Sequence, residues 1–334
     1  MTIKYLIDDI SNIGVTIYVI GYEKEGESII FLLENQNNIL YSAVIDCFSI
    51  ECLNKTIDIL KEHEVNKLNL ICWSHPDDDH TVGLEEVLDL FAGEDTKILF
   101  PYGVWLDEIK TLRVKYSKSA REIFKFIEHL HEGRQINHNH NTVGVNEEQY
   151  LPIQDYAFID KFGRKVLFSI KALSPIFSII NHYIAKDPNN VCKNIFSIAL
   201  SFNIGNRIFL FTSDIEDCTI KYMDDDALNN VFFLKTPHHT SSSSSLLYQK
   251  IALKNIYIPI SVTTVYEKHK LPDIKVISQF SNIFRHFYST RFLSQEFCKD
   301  HFGYVEYKAN LLDKDYIQKI PQQIQLKGNA VKII

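Results

Sequence analysis

The chain has 334 residues, 46% hydrophobic and 23% charged, which are the proportions of a folded globular protein and exclude disorder and fibrous architectures. Its 35 Lys and Arg against 42 Asp and Glu give a net charge of −7. That balance disfavours wrapping a long duplex, because nucleic-acid affinity rests on neutralising phosphates, and leaves a short or single-stranded substrate open.

No apolar run approaches the roughly 18 residues that cross a bilayer. Residues 1–9 lack the basic-then-apolar pattern of a signal peptide, so a cytoplasmic protein without membrane contact is expected. Six cysteines (Cys47, Cys52, Cys72, Cys192, Cys218 and Cys298) form no CxxC pair and read as reduced, mostly structural thiols.

In chain order, residues 15–21, 28–34 and 41–46 read as strands, 53–64 as an amphipathic helix and 68–73 as a buried strand. Polar residues then concentrate from Ser74 to His80, where that strand gives way to a helix at 85–91. Residues 107–133 are helical and charged, and 135–149 are Asn- and His-rich without a period, so 107–150 is expected to be a helical and loop insertion, a candidate lid. Strand-like runs resume at 165–173, 195–202, 207–211, 231–235 and 255–261, followed by a helix at 273–280 and a short strand near 304–307. No repeat and no Gly/Ser linker divides the chain, so one α/β sandwich domain over 1–334 is expected.

His75, Asp77, Asp79 and His80 spell H-x-D-x-D-H on a loop that leaves a buried strand, where imidazoles and carboxylates can be aimed at one point. By itself this run reads equally as a solvated acidic turn. Two more apolar strands end in the same residue types. Residues 208–211 run into Thr212-Ser213-Asp214-Ile215-Glu216, and 231–234 run into Lys235-Thr236-Pro237-His238-His239-Thr240. Three strands that each deliver His or Asp at the C-terminal end favour a metal site suited to hydrolysis.

Seven motifs in order resemble the metallo-β-lactamase fold and, within it, the nuclease domain of ComEC-type DNA-uptake proteins, over nearly the whole chain. Gly26-Glu27-Ser28 resembles that family's Gly-Asp-Ser turn, Ile45-Asp46-Cys47 its Ile-Asp strand end, and Ser74 to His80 its Ser-His-x-Asp-x-Asp-His motif. Leu173-Ser174-Pro175 with 194–200, Thr212 to Glu216, Lys235 to Ser241, and Ile260-Ser261-Val262 with His269 resemble the later motifs.

The resemblance implies an αββα sandwich with a helical insertion and one or two divalent metal ions, zinc or manganese with magnesium as a further candidate. It implies that His75 and Asp77 hold one ion and Asp79 and His80 the second, with Asp214 bridging them and one of His238 and His239 completing the second site, His239 being favoured because Pro237-x-His239 resembles the family's Pro-Gly-His. His238 would then assist or donate a proton, and His269 would reach back toward the metals; Asp79, His238 and His269 are the candidate catalytic groups. This sequence departs from the widespread family motif in having Asp77 where a second His stands, and the family's separate third His has no clear counterpart, Asn194 occupying that neighbourhood. Oxygen-rich ligation of that kind favours harder ions than zinc.

Lys118, Arg121 and Lys125 share one helical face, and with Lys110, Arg113 and Lys115 they read either as a solvated face or as a phosphate-binding lid. His138 and His140 read as surface, Trp73 and Trp105 as core, and Ser241 to Ser245 as a flexible loop. The expected function is a metal-dependent nuclease or phosphodiesterase acting on nucleic acid or a nucleotide, in the setting of an antiviral defence effector. The alternatives are an interaction subunit with a half-built site and a partner protein, or a hydrolase of small esters, phosphocholine or lactones.

Overall fold

The structure, a computed structural model, describes residues 5–7, 13–36, 38–51, 53–105, 116–133, 141–147, 149–151, 156–159, 163, 165–188, 190–254, 256–292, 300–310 and 316–334. In chain order the strands are β1 (Tyr5–Ile7), β2 (Ile13–Tyr22), β3 (Glu27–Asn35), β4 (Asn38–Ile45), β5 (Leu70–Cys72), β6 (Lys97–Pro101), β7 (Asn141–Val145), β8 (Gln149–Tyr150) and β9 (Tyr156–Ile159). They continue as β10 (Lys165–Ala172), β11 (Leu200–Ile204), β12 (Arg207–Phe211), β13 (Val231–Lys235), β14 (Ile260–Thr263), β15 (Phe287–Ser289), β16 (Phe302–Asn310), β17 (Ile324–Gly328) and β18 (Val331–Lys332). The helices are α1 (Lys55–Glu62), α2 (Leu84–Phe91), α3 (Lys118–Gly133), α4 (Phe177–Lys186), α5 (Asp217–Ile220), α6 (Leu246–Leu253), α7 (Ile274–Gln279) and α8 (Tyr316–Gln323).

Two sheets form. One runs β17-β16-β2-β3-β4-β5-β6-β7, and the other β1-β9-β10-β11-β12-β13-β14-β15-β18 with β8 beside β10. The strands that build them are apolar at both parities, the pattern of a sheet covered on both faces. Along β2 and β3, Val15, Ile17, Val19, Ile29, Phe31 and Leu33 point into the space between the sheets. Tyr18, Ile20, Ile30 and Leu32 point outward into a second cluster with α1, α2 and α3. On the other sheet Phe209 and Phe211 point inward, while Leu210 and Leu234 face a third cluster with Leu247 and Ile251 of α6 and Val276 and Ile277 of α7. Phe31 fastens the two sheets by stacking on Phe168 and meeting Phe202 edge-on, with centroids 5.9 and 4.7 Å apart. The order helix, sheet, sheet, helix is the α/β sandwich expected from the sequence.

The stretch expected as an insertion is partly structural. Ala120, Ile123, Phe124 and Ile127 of α3, at helical spacing, are buried against Trp73, whose ring meets Phe124 edge-on at 4.9 Å. Lys118, Arg121 and Lys125 stay on the exposed face of that helix. Residues 141–145, read as aperiodic, pair in parallel with β6 as β7, because a strand neighbour supplies the pattern that the local sequence lacks. The strand read at 195–202 is instead a 3-10 turn, Lys193–Phe196, followed by β11, and the strand read at 255–261 begins only at Ile260. The serine run is an ordered turn, Ser242–Ser244, rather than a flexible loop. Lys110, Arg113, Lys115, His138, His140, Cys52 and Cys298 lie outside the described residues, as does the side chain of Trp105. Among the described residues, no helix is long and apolar enough to cross a membrane.

Both sheets carry a parallel segment, β4-β5-β6-β7 in one and β12-β13-β14-β15 in the other. Parallel strands present all their C-terminal ends on one edge, where loops can carry function. These two edges meet, which brings the loops after β4, β5, β12, β13 and β14 together.

Candidate metal centre

The loop after β5 is held open by its own side chains. Trp73 Nε1 donates to Thr81 Oγ1 at 2.9 Å, Thr81 Oγ1 donates to the Asp77 carbonyl at 2.6 Å, and the 3-10 turn Asp78–His80 carries Asp79 and His80 inward. The loop after β13 puts His238, His239 and Thr240 in the left-handed region, and Ser213 after β12 and Asp46 after β4 share it. Such conformations cost free energy for non-glycine residues and persist where the surroundings over-determine them, characteristically at functional sites.

The result is a convergence of four side chains. Asp79 Oδ2 lies 3.2 Å from His239 Nε2 and 3.5 Å from His80 Nε2. Asp214 Oδ1 lies 3.5 Å from His80 Nε2, and its Oδ2 lies 3.6 Å from His239 Nε2. A tetrahedral ion with bonds of about 2.0–2.2 Å sets its ligand atoms about 3.3–3.6 Å apart. Among the described residues, His80 Nε2 and Asp214 Oδ1 have no hydrogen-bond partner although both are buried, an arrangement that costs free energy unless something binds there. The donor set and its spacing therefore fit a divalent cation.

Each ligand-type imidazole is fixed from behind, an arrangement that orients metal-binding histidines. His80 Nδ1 is 2.7 Å from Asp46 Oδ2, and Asp46 also accepts from the Ser74 amide and hydroxyl. His239 Nδ1 pairs with Thr264 Oγ1 at 2.7 Å, and that hydroxyl donates to Glu27 Oε2. Glu27 also lies close to His80, Asp214 and His239. Its Oε2 is taken by Lys235 Nζ at 2.6 Å in a fully buried ion pair and supports His239 through Thr264, while its Oε1 is buried without a hydrogen-bond partner among the described residues, so Glu27 is a further candidate ligand at this centre.

Burial alone would raise the Asp214 carboxyl, but the His239, His80 and His238 imidazoles outweigh it and hold that group well below the usual carboxylate range. Asp79 is likewise lowered against its burial by His80 and His239. Burial alone would lower His80, and the carboxylates of Asp79, Asp214 and Asp46 overcome it and raise its pKa well above the ordinary value.

His75 and Asp77 stand beside this cluster, with His75 Nε2 3.4 Å from Asp77 Oδ2 and the His75 and His80 rings 4.3 Å apart. Asp77 also carries a short ion pair, 2.6 Å from Lys193 Nζ. His238 is half-withdrawn: its Nε2 is 3.9 Å from Asp214, and its Nδ1 is 3.1 Å from both Glu216 Oε1 and Ser243 Oγ. His269 is exposed, and its ring stacks on Tyr266, which stacks in turn on His239, with centroids 5.2 and 5.5 Å apart. A cavity of about 440 Å³ opens between His238 and His269, with Lys270 and Ser241 in its wall.

The structure thus brings Asp79, His80, Asp214 and His239 together, with His75 and Asp77 alongside and His238 and His269 at the mouth. Sequence reasoning assigned no role to Asp46, Glu27 or Lys235, although each lies inside a motif quoted for the resemblance. Lys193 lies in no motif and carried no signal.

No family model and no curated protein matches the chain. Among solved structures, one similar protein is a diphosphatase from the PhnP family, at 14% identity and a TM-score of 0.37, covering 79% of this chain and 91% of that one. Another, from Parabacteroides distasonis ATCC 8503, is assigned as a metal-dependent hydrolase, at 10% identity and a TM-score of 0.33, covering 80% of this chain and 77% of that one. Likenesses this distant leave the functional reading to the chain's own geometry.

Proposed function

We propose that the protein is a metal-dependent hydrolase of phosphodiester-type bonds, acting on a nucleotide or a short nucleic acid. The observation that carries the reading is the buried quartet Asp79, His80, Asp214 and His239, at ligand-to-ligand spacing and with two of its atoms lacking a hydrogen-bond partner among the described residues. These four residues would hold the ion, zinc or manganese. Such an ion supplies a Lewis acid for a phosphoryl oxygen and lowers the pKa of water into the neutral range.

The chain's own groups complete the site. Asp46 and Thr264 hold His80 and His239 in one ring orientation. His238 and His269 face a cavity whose wall also carries the Lys270 ammonium, the Asp273 carboxylate and the Ser241 hydroxyl, so that imidazoles and one ammonium are at hand for a phosphoryl group. The Glu216 and Asp214 carboxylates raise the His238 pKa against its burial, which favours the protonated ring that an acid role requires.

The test is a panel of DNA, RNA, cyclic nucleotides and nitrophenyl phosphodiesters, each with manganese, magnesium and zinc, comparing the native protein with Asp79→Ala. Metal-dependent cleavage that the variant loses supports the proposal. Metal titration that finds no binding, or turnover that persists in chelator, would sink it.

A further inference from the structure

Beside the quartet His75 Nε2 is buried without a hydrogen-bond partner among the described residues, but the carboxylate next to it is already engaged by a protein ammonium. Asp77, at the position where the resemblance would place a ligand to a second ion, is 2.6 Å from the ammonium of Lys193 through Oδ1, while its Oδ2 faces His75 Nε2 at 3.4 Å. Lys193 is not a wandering surface side chain. It opens the 3-10 turn Lys193–Phe196, which is anchored to the His75 loop by the Ile198 amide donating to the Ser74 carbonyl at 3.1 Å. The next residue, Asn194, donates to Glu216 Oε1 at 3.3 Å, the same carboxylate oxygen that holds His238. Lys193 Nζ also lies 5.6 Å from the centroid of the Tyr116 ring, a cation–π contact that adds a second restraint. Lys193, Asn194, Glu216 and His238 thus form one linked rim beside the quartet.

Charge decides what this rim can do. A second divalent ion at His75 and Asp77 would sit against a fixed ammonium and would compete with it for the same carboxylate, both unfavourable at such short range. The Lys193 and Asp77 side chains are 32% and 31% exposed, so the pair is within reach of solute while the carboxylate holds the ammonium in place. Lysine binds phosphate oxygens as a compact point charge.

We propose that the centre is mononuclear and that Lys193, clamped by Asp77, takes the place of a second metal ion and receives an anionic oxygen of the substrate's phosphoryl group. This rests on the metal reading above and adds its stoichiometry and a substrate-binding residue. Asp77 is then a positioning residue for Lys193, and His75 is its neighbour.

The experiment uses the full chain, manganese and zinc, and inorganic phosphate as the probe. Metal titration of the native protein is expected to saturate at one ion per chain. Lys193→Met should keep that ion and weaken phosphate binding to the loaded protein by about tenfold or more, the loss of one charge-assisted hydrogen bond. Lys193→Arg, which keeps the charge, should restore most of the affinity. Two tightly bound ions in the native protein, or unchanged phosphate affinity in Lys193→Met, would overturn this inference alone. Absence of any bound ion would overturn the metal reading as well.

Discussion

His80 Nδ1 and Asp46 Oδ2 lie 2.7 Å apart with neither side chain exposed to solvent, so that one buried carboxylate from the end of β4 fixes the ring that the loop after β5 delivers. A carboxylate behind a metal-binding imidazole selects its tautomer and raises its basicity. Loss of such a partner typically costs about 10- to 100-fold in metal affinity. Asp46→Asn should therefore bind manganese or zinc more weakly by that factor while keeping its circular dichroism spectrum. Unchanged affinity would show that His80 is not a ligand.

The Glu27–Lys235 pair is fully buried, with its charges 2.6 Å apart. Burial would raise the Glu27 carboxyl, and Lys235 outweighs it and keeps the group low and charged. Removing one member of such a pair strands the other charge in the interior and costs about 3–5 kcal/mol, whereas replacing both can come close to neutral. Lys235→Met should lower stability by that amount in urea denaturation, and Glu27→Gln with Lys235→Met should recover most of the loss. A double variant as unstable as the single one would mean that packing, rather than stranded charge, sets the penalty.

Asp214 is the group that two imidazoles of the quartet share, at 3.5 and 3.6 Å. Asp214→Ala is expected to reduce hydrolysis by several orders of magnitude, as loss of a group on which the whole centre depends does. Desalted variant protein that still turned over would relocate the site.

What could be read from the sequence follows from how local each signal is. The runs at 207–211 and 231–235 coincide with β12 and β13, because a buried parallel strand is a short continuous apolar block. Residues 141–145 carry no such block, and their strand depends on β6 alongside. The same division holds in the site. Asp79, His80, Asp214 and His239 declare themselves as polar residues at strand ends, but the pairing of Asp46 with His80 spans 34 positions and that of Lys193 with Asp77 spans 116. Nothing in residue type or spacing announces such partners before the chain is folded.

Phe124 tests whether α3 is a layer or a lid. Its ring meets Trp73 edge-on and is 4% exposed, so truncation empties part of the outer cluster. Phe124→Ala should cost about 3–5 kcal/mol of stability with turnover per folded molecule unchanged. A loss of turnover at full stability would instead make α3 a moving part of the site.

His269 poses the sharpest question at the mouth of the site. Its ring is exposed and contacts Tyr266, whose own ring stacks on His239, so His269 can influence the centre without ligating it. It also faces His238 across the cavity of about 440 Å³, where a leaving oxygen would need a proton. Proton donation of that kind contributes about 10²- to 10⁴-fold. His269→Ala should keep its full metal content and lose at least about a hundredfold in rate on a natural phosphodiester. The loss should be much smaller on a nitrophenyl phosphodiester, whose leaving group departs without protonation. Tyr266→Phe, which retains the stacked ring, should match the native protein on both substrates. Equal losses on both substrates in His269→Ala would make His269 a binding residue rather than an acid, and an unchanged rate would leave it a surface side chain stacked on Tyr266.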